Sequence, residues 1–110
     1  MDPRTLTPRE RAVLDALLAA ADADGLHTQA GLVRVVEGCP CGCPTIGFTE
    51  AAGRRMTVAV DATVTGTHDT LFLYTFDGEL GGIEYAAIDE RPAEFPAPER
   101  LEITVPHTRQ

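Results

Sequence analysis

Three cysteines cluster between residues 39 and 43, and their thiols are the side chains best suited to chemistry. Thiolates bind zinc, and a structural zinc site needs four ligands, commonly supplied as C-x2-C pairs. The C-x-C-x-C spacing supplies only three, so a fourth ligand must be a histidine distant in sequence. The candidate zinc ligands are Cys39, Cys41, Cys43 and His68, with His27 and His107 as the other histidines of the chain.

The same thiols allow other interpretations. Redox sites of the thioredoxin type place C-x-x-C at a helix start, and the segment 44–47 does not predict a helix. A disulfide between cysteines two positions apart would be strained. Cys43 and His68 could act as nucleophile and base, or the three thiols could simply pack into the core at a tight corner. A Ser-His-Asp hydrolase is excluded, because the chain contains no serine.

The charge of the chain argues for some partners and against others. Its formal net charge is −8, and all nine basic residues are arginines. Nucleic acid and anionic membrane surfaces are not expected as partners, since each phosphate contact needs a cationic side chain. From residue 69 onward the chain holds nine acidic residues and three arginines, so a basic partner would be steered there. The candidate partner surface is Glu79, Glu84, Asp89, Glu90, Glu94 and Phe95.

The first element that must position these residues is an N-terminal helix. Thr7, Pro8 and Glu10 form a capping box, which predicts that the helix begins here. Asp24-Gly25 predicts its end, because glycine tolerates the left-handed conformation of a helix C-terminus. An apolar stripe at helical spacing lies between, made of Val13, Leu14, Leu17, Leu18 and Ala21.

The segments that follow predict an antiparallel sheet. The β-branched run 32–37 predicts a first strand, the alternation over 56–64 a second, and Asp77-Gly78 between two apolar runs a hairpin. The prolines of 91–99 predict an extended loop whose Phe95 docks on the core. A last strand follows over 101–105 and stops at Pro106.

The hairpin has two alternative registers. A regular two-residue loop pairs Phe76 with Glu79 and places Phe72, Tyr74, Ile83 and Tyr85 on one face. A bulge at Gly81-Gly82 would instead shift the pairing by one residue and turn the far strand over.

These elements predict an α+β fold in which one N-terminal helix packs on an antiparallel meander of about four to five strands. Residues 1–110 form one domain, with 1–6 and 106–110 expected to fray. The sheet edges could pair across a two-fold axis into a homodimer. No apolar run is long enough to span a membrane, and the N-terminus opens with Asp2, Pro3 and Arg4 where a leader would have a basic segment followed by an apolar run. Together with the odd number of cysteines, which fits a reducing compartment, this pattern predicts a cytoplasmic location.

Several motifs resemble those of a group of small uncharacterised bacterial proteins. That group combines a C-x-C-G-C-P-T segment, a D-G-x-L turn, an L/I-E-Y strand and a closing P-x-x-F-P-x-P-x-x-L segment. The parts correspond here to residues 39–45, 77–80, 83–85 and 92–101, roughly the C-terminal two thirds of the chain. The resemblance implies no activity. The hairpin is also similar to strands of immunity proteins from bacterial toxin systems, which are small, often acidic and non-catalytic.

Two functional hypotheses follow from the sequence. The first is a non-catalytic module that binds a basic protein through its acidic C-terminal half, as an immunity protein would. The alternative is a small metal-binding or thiol-based enzyme or sensor centred on the cysteine segment.

Overall fold

A computed structural model describes residues 3–21, 24–38, 42–50, 53–88 and 92–104. In these residues two helices accompany a six-stranded sheet whose strands run antiparallel in the order β1-β2-β5-β4-β3-β6. The expected α+β class is confirmed, with slightly more strands than predicted, because β1 and β2 have only two residues each. The elements are α1 (Pro8–Ala21), α2 (Asp24–Ala30), β1 (Glu37–Gly38), β2 (Ile46–Gly47), β3 (Met56–Val64), β4 (Thr70–Phe76), β5 (Glu79–Ala86), a 3-10 turn (Pro98–Arg100) and β6 (Leu101–Thr104).

The capping box at the start of α1 is confirmed. The Thr7 hydroxyl accepts a hydrogen bond from the Glu10 N–H at 3.1 Å, and the Glu10 carboxylate accepts one from the Thr7 N–H at 2.9 Å. Arg4 adds two hydrogen bonds of 2.9 Å to the same carboxylate. The apolar stripe of α1 then turns four fully buried side chains into the core: Val13, Leu14, Leu17 and Leu18.

The predicted end of the helix at Asp24-Gly25 is wrong. These residues begin a second helix, α2, and Gly25 does not have the positive φ of a helix cap. Tertiary packing explains the difference, since Leu26 and Ala30 of α2 are buried in the core. Gln29 also bridges α2 to the β4–β5 hairpin, because its side-chain amide donates to the Gly78 carbonyl at 3.0 Å and accepts from the Leu80 N–H at 2.7 Å.

The predicted first strand over 32–37 is shorter than expected. Only Glu37 of that run lies in β1, while Val35 forms an isolated bridge with Arg4 and Leu32 is 82% exposed. The run therefore finds partners at single positions instead of along a continuous ladder.

The hairpin turns at Asp77-Gly78 as predicted, with positive φ at both residues and Phe76 paired with Glu79. The bulged alternative is the correct register beyond the turn. Thr75 pairs with Leu80 but Tyr74 pairs with Gly82, which leaves Gly81 as the extra residue of β5. A side chain at either glycine would collide with Tyr74, since a Cβ at Gly81 would lie 2.7 Å from its Cδ2 and one at Gly82 2.5 Å from its hydroxyl.

The bulge decides which side chains face the core. Ile83 and Tyr85 lie opposite Leu73 and Leu71 in the core cluster, so the prediction that they share a face with Phe72 and Tyr74 is wrong. We call the side of Leu71 and Leu73 the inner face, and the side of Thr70, Phe72, Tyr74 and Phe76 the outer face. The buried residues of both helices belong to the inner-face core, which does not include the three aromatic residues of the outer face.

Candidate functional site

The predicted zinc site is only partly visible in the structure. Cys43 is half-buried, with its sulfur 3.4 Å from the Thr45 hydroxyl, and His68 is exposed in the turn between β3 and β4. Cys39 and Cys41 lie outside the described residues, as does His107. Within the part of the chain that the structure describes, no group of three potential ligands converges. Zinc binding stays a prediction, which elemental analysis of protein purified without chelator would decide.

A buried carboxylate that the sequence did not single out lies at the start of β4. Asp69 is fully buried and accepts hydrogen bonds from the Tyr85 hydroxyl at 2.5 Å and the Ile88 N–H at 2.7 Å. The Tyr85 N–H in turn donates to the Thr45 hydroxyl at 2.9 Å. This arrangement links the segment after the cysteines to the β3–β4 turn. Its geometry is that of a structural anchor, because the carboxylate is enclosed and already held by two donors.

The residues of the predicted partner surface do not form one patch. Glu79 and Glu84 lie on the outer face, opposite Phe76 and Phe72. Glu94 is 3.9 Å from Arg9 at the start of α1, on the helical side of the sheet. Phe95 is only 1% exposed, so it docks on the core as expected and does not present its side chain to a partner. Asp89 and Glu90 lie outside the described residues.

The outer face instead gathers carboxylates that the sequence left scattered. Antiparallel register places directly paired side chains on the same face, with Cβ atoms about 5 Å apart. One row across the sheet joins Glu79, Phe76 and Met56, and the next joins Glu37, Gly47, Gly82, Tyr74 and Val58. The remaining rows join Glu84, Phe72, Asp61 and Thr104, then Ala86, Thr70, Thr63 and Glu102.

Aromatic rings run through the middle of this face. The Phe72 and Tyr74 ring centroids are 6.1 Å apart, and those of Tyr74 and Phe76 are 5.5 Å apart. Tyr74 and Phe76 are buried, while Phe72 is half-buried and Met56 is 46% exposed. Five exposed carboxylates share this face with the rings: Glu37, Asp61, Glu79, Glu84 and Glu102.

The electrostatics of the outer face are those of a negative surface. Burial raises the pKa of the Tyr74 hydroxyl, and the charges of Glu37 and Glu84 raise it further, because both oppose formation of a phenolate. Glu37 packs across Gly47, where a Cβ would lie 2.7 Å from its Cγ. Glycines at 47, 81 and 82 therefore leave the room that Glu37 and Tyr74 occupy.

One arginine is already bound on the outer face. The Arg54 guanidinium carbon lies 5.6 Å from the Phe76 ring centroid, and its Nη1 is 2.9 Å from the Glu79 carboxylate. Its Nε is 3.5 Å from the Asp77 carboxylate, and its Nη2 donates to the Phe76 carbonyl at 3.0 Å. The ring and the carboxylate together hold a cation, as cation–π contacts beside an acidic residue do.

The described residues also form two clefts, the second of which reaches Glu79 of the outer face. One of about 570 Å³ opens at the start of α1, beside Arg4, Arg9 and Phe95. Its arginines are engaged, since Arg4 pairs with Glu10 and Arg9 donates to the Phe95 carbonyl at 2.8 Å. The other, of about 410 Å³, is a shallow groove beside Leu32 and Phe48. No cysteine or histidine is among the described residues that line either cleft.

No helix in the described residues is both long and apolar enough to cross a bilayer. Comparisons of the chain with protein-family models, with curated proteins and with solved structures found no match.

Proposed function

We propose that this protein is a small, non-catalytic binding module that recognises a basic protein through the outer face of its sheet. The observation that carries the proposal is the set of five exposed carboxylates around the strip of Phe72, Tyr74 and Phe76. Only one arginine, Arg54, pairs with a carboxylate of this face among the described residues.

The composition of the outer face suits association with a cationic surface. The half-buried Phe72 and the exposed Met56 supply apolar contact area, while Tyr74 and Phe76 are buried. The carboxylates give charge complementarity, which raises the association rate and disfavours acidic partners. The helical side of the sheet is less suited, because two of its carboxylates, Glu10 and Glu94, already face Arg4 and Arg9.

An inhibitor of a basic toxin would need this chemistry, and such an immunity-like role is our more specific hypothesis. Toxins that act on nucleic acid carry cationic surfaces because their substrate is anionic. An acidic, aromatic face can cover such a surface and block the substrate. A cytoplasmic location, where such a toxin would act, belongs to the same hypothesis.

Affinity capture with three matched baits tests the proposal. The baits are the parent protein without substitutions, an outer-face variant with Asp61→Asn and Glu84→Gln, and a control variant with Asp15→Asn and Glu99→Gln. Asp15 and Glu99 are exposed, on α1 and on the 3-10 turn that packs beside it, so the control makes the same charge change on the other side of the sheet.

We expect the parent protein and the control variant to capture the same basic protein at low salt, and the outer-face variant to fail to capture it. The purified partner should then bind the parent protein with an affinity that falls as salt rises, since exposed charges are screened. Equal loss with both variants would assign the effect to net charge, and the absence of any basic captured protein would contradict the proposal.

A further inference from the structure

The row of the outer face that contains Phe72 repeats the arrangement that holds Arg54. In the Arg54 row, Phe76 lies opposite Glu79 of β5. In the Phe72 row, Phe72 lies opposite Glu84 of β5 and Asp61 of β3. The Phe72 ring therefore has a carboxylate on each neighbouring strand, whereas the Phe76 ring has Met56 on the β3 side.

The Phe72 row has no cation of its own among the described residues. The side-chain carboxylates of Asp61 and Glu84 form no ion pair or hydrogen bond with the described residues, and both residues are exposed. Most described arginines are engaged elsewhere: Arg4 with Glu10, Arg9 with Phe95, Arg11 with the Ala30 carbonyl, Arg54 with Glu79 and Arg100 with the Thr65 carbonyl.

The Phe72 ring is also accessible, unlike the other two rings. Tyr74 and Phe76 are 8% and 4% exposed, whereas Phe72 is only half-buried. Two negative charges beside an accessible ring face favour a cation that can stack on the ring and bond to both sides. A guanidinium does this, because it is planar and carries donors along its edge, while an ammonium is a compact point charge.

We propose that Phe72, with Asp61 and Glu84 on the strands either side, receives an arginine side chain of the partner protein. This inference rests on the proposed function and names the chemistry of the partner: an arginine-bearing segment. The Arg54 contact with Phe76 and Glu79 is the intramolecular counterpart of the contact that the partner makes.

Titrations of the parent protein with short peptides, followed by NMR, test this inference. The probes are a blocked pentapeptide with one central arginine between valines and its lysine and citrulline counterparts. Citrulline keeps the planar shape of arginine without its charge. Ring resonances of Phe72 and backbone amides of β3, β4 and β5 report binding at the outer face.

We expect the arginine peptide to bind about threefold to tenfold more tightly than the lysine peptide, and the citrulline peptide to bind more weakly than either. Phe72→Leu should reduce the arginine affinity to that of lysine. Asp61→Asn with Glu84→Gln should weaken both charged peptides by about threefold to tenfold, while the control Asp15→Asn with Glu99→Gln should change neither.

Three results would each overturn the proposed arginine site at Phe72. They are equal binding of the arginine and lysine peptides, an arginine preference that survives Phe72→Leu, and no binding at the outer face. The proposed function would still stand if the captured basic partner is lost with Asp61→Asn and Glu84→Gln. The two ideas therefore fail on different measurements.

Discussion

Glu79 and Glu84 point to the same face of the sheet although they are an odd number of positions apart on one strand. In a regular strand, residues with that spacing face opposite sides. The extra residue Gly81 removes the conflict, because it lets Glu79 pair with Phe76 and Glu84 with Phe72. The position of Glu84 on the outer face therefore depends on this bulge. Asp61 depends on a second register shift, between Val58 and Val60 of β3, which places it opposite Phe72.

Deleting Gly81 should destroy the fold. Without the bulge, Ile83 and Tyr85 would turn outward, and each buried side chain of this size contributes about 1.5–3 kcal/mol. We expect the deletion variant to lose its cooperative thermal transition in circular dichroism. Deletion of Gly53, which is exposed in the turn before β3, is the control and should keep the transition. A cooperatively folded Gly81 deletion would show that the bulge is dispensable.

Gly82→Ala should destabilise the protein by about 1–3 kcal/mol. A Cβ there would meet the Ile46 carbonyl oxygen and the Tyr74 ring, and the carbonyl belongs to the backbone of the neighbouring strand. Urea denaturation measures the change in unfolding free energy. Gly25→Ala is the matched control and should raise the unfolding free energy. Gly25 lies in α2 with no atom within 4 Å of its Cβ position, and alanine stabilises a helix by about 0.5–1 kcal/mol relative to glycine. Equal effects of both substitutions would contradict the contact.

Tyr85→Phe should cost about 1–3 kcal/mol of unfolding free energy, because it removes one of the donors to the buried Asp69 carboxylate. Tyr74→Phe is the comparison, since the Tyr74 hydroxyl forms no hydrogen bond with the described residues. That variant should stay within about 0.5 kcal/mol of the parent protein. Chemical denaturation of both at neutral pH checks the difference, and an equal loss would mean that Asp69 does not depend on Tyr85.

Glu10 should make stability depend on pH. Burial alone would raise its pKa and is the largest influence, but the hydrogen bonds from Arg4 and Thr7, with the charge of Arg4, together lower the pKa below its ordinary value of 4.5. A lowered pKa in the folded state means that stability is fully present above about pH 4.5 and is lost as pH falls through the folded-state pKa.

Glu10→Gln should therefore lower the free energy of unfolding by about 1 kcal/mol at pH 7 and by less at pH 3. Thermal or urea denaturation at both pH values measures this. Glu99→Gln, at an exposed position, is the control and should follow the parent protein at each pH. A Glu10→Gln deficit that does not shrink in acid would show that the ionised carboxylate is not what stabilises the helix start.

Local signals in the sequence predicted the elements that local chemistry determines. Thr7 and Glu10 are three residues apart and satisfy each other's hydrogen bonds, and Asp77-Gly78 adopts the positive φ that a two-residue hairpin loop requires. The second helix was not predictable, because α2 depends on burying Leu26 and Ala30 against distant parts of the chain.

The same limit applies to the site. Glu79 and Glu84 could be predicted as a partner surface from charge alone, but the choice between registers depends on how Tyr74 packs over Gly81 and Gly82. Asp61 and Glu37 share the outer face with them only because of pairing between strands that are distant in sequence. Phe95 is buried in the core and therefore does not belong to a binding surface. The polar link through Asp69 had no local signal, since its donors come from residues 85 and 88.

The hydrogen bonds from Gln29 to the hairpin make the Leu80 amide a reporter of partial unfolding. The Leu80 amide proton is held by a helix side chain, not by a neighbouring strand. Its rate of exchange with deuterated solvent should therefore follow the undocking of α2, while amides inside the β4–β5 ladder follow separation of the strands. One proton at the hairpin thus distinguishes partial from global unfolding.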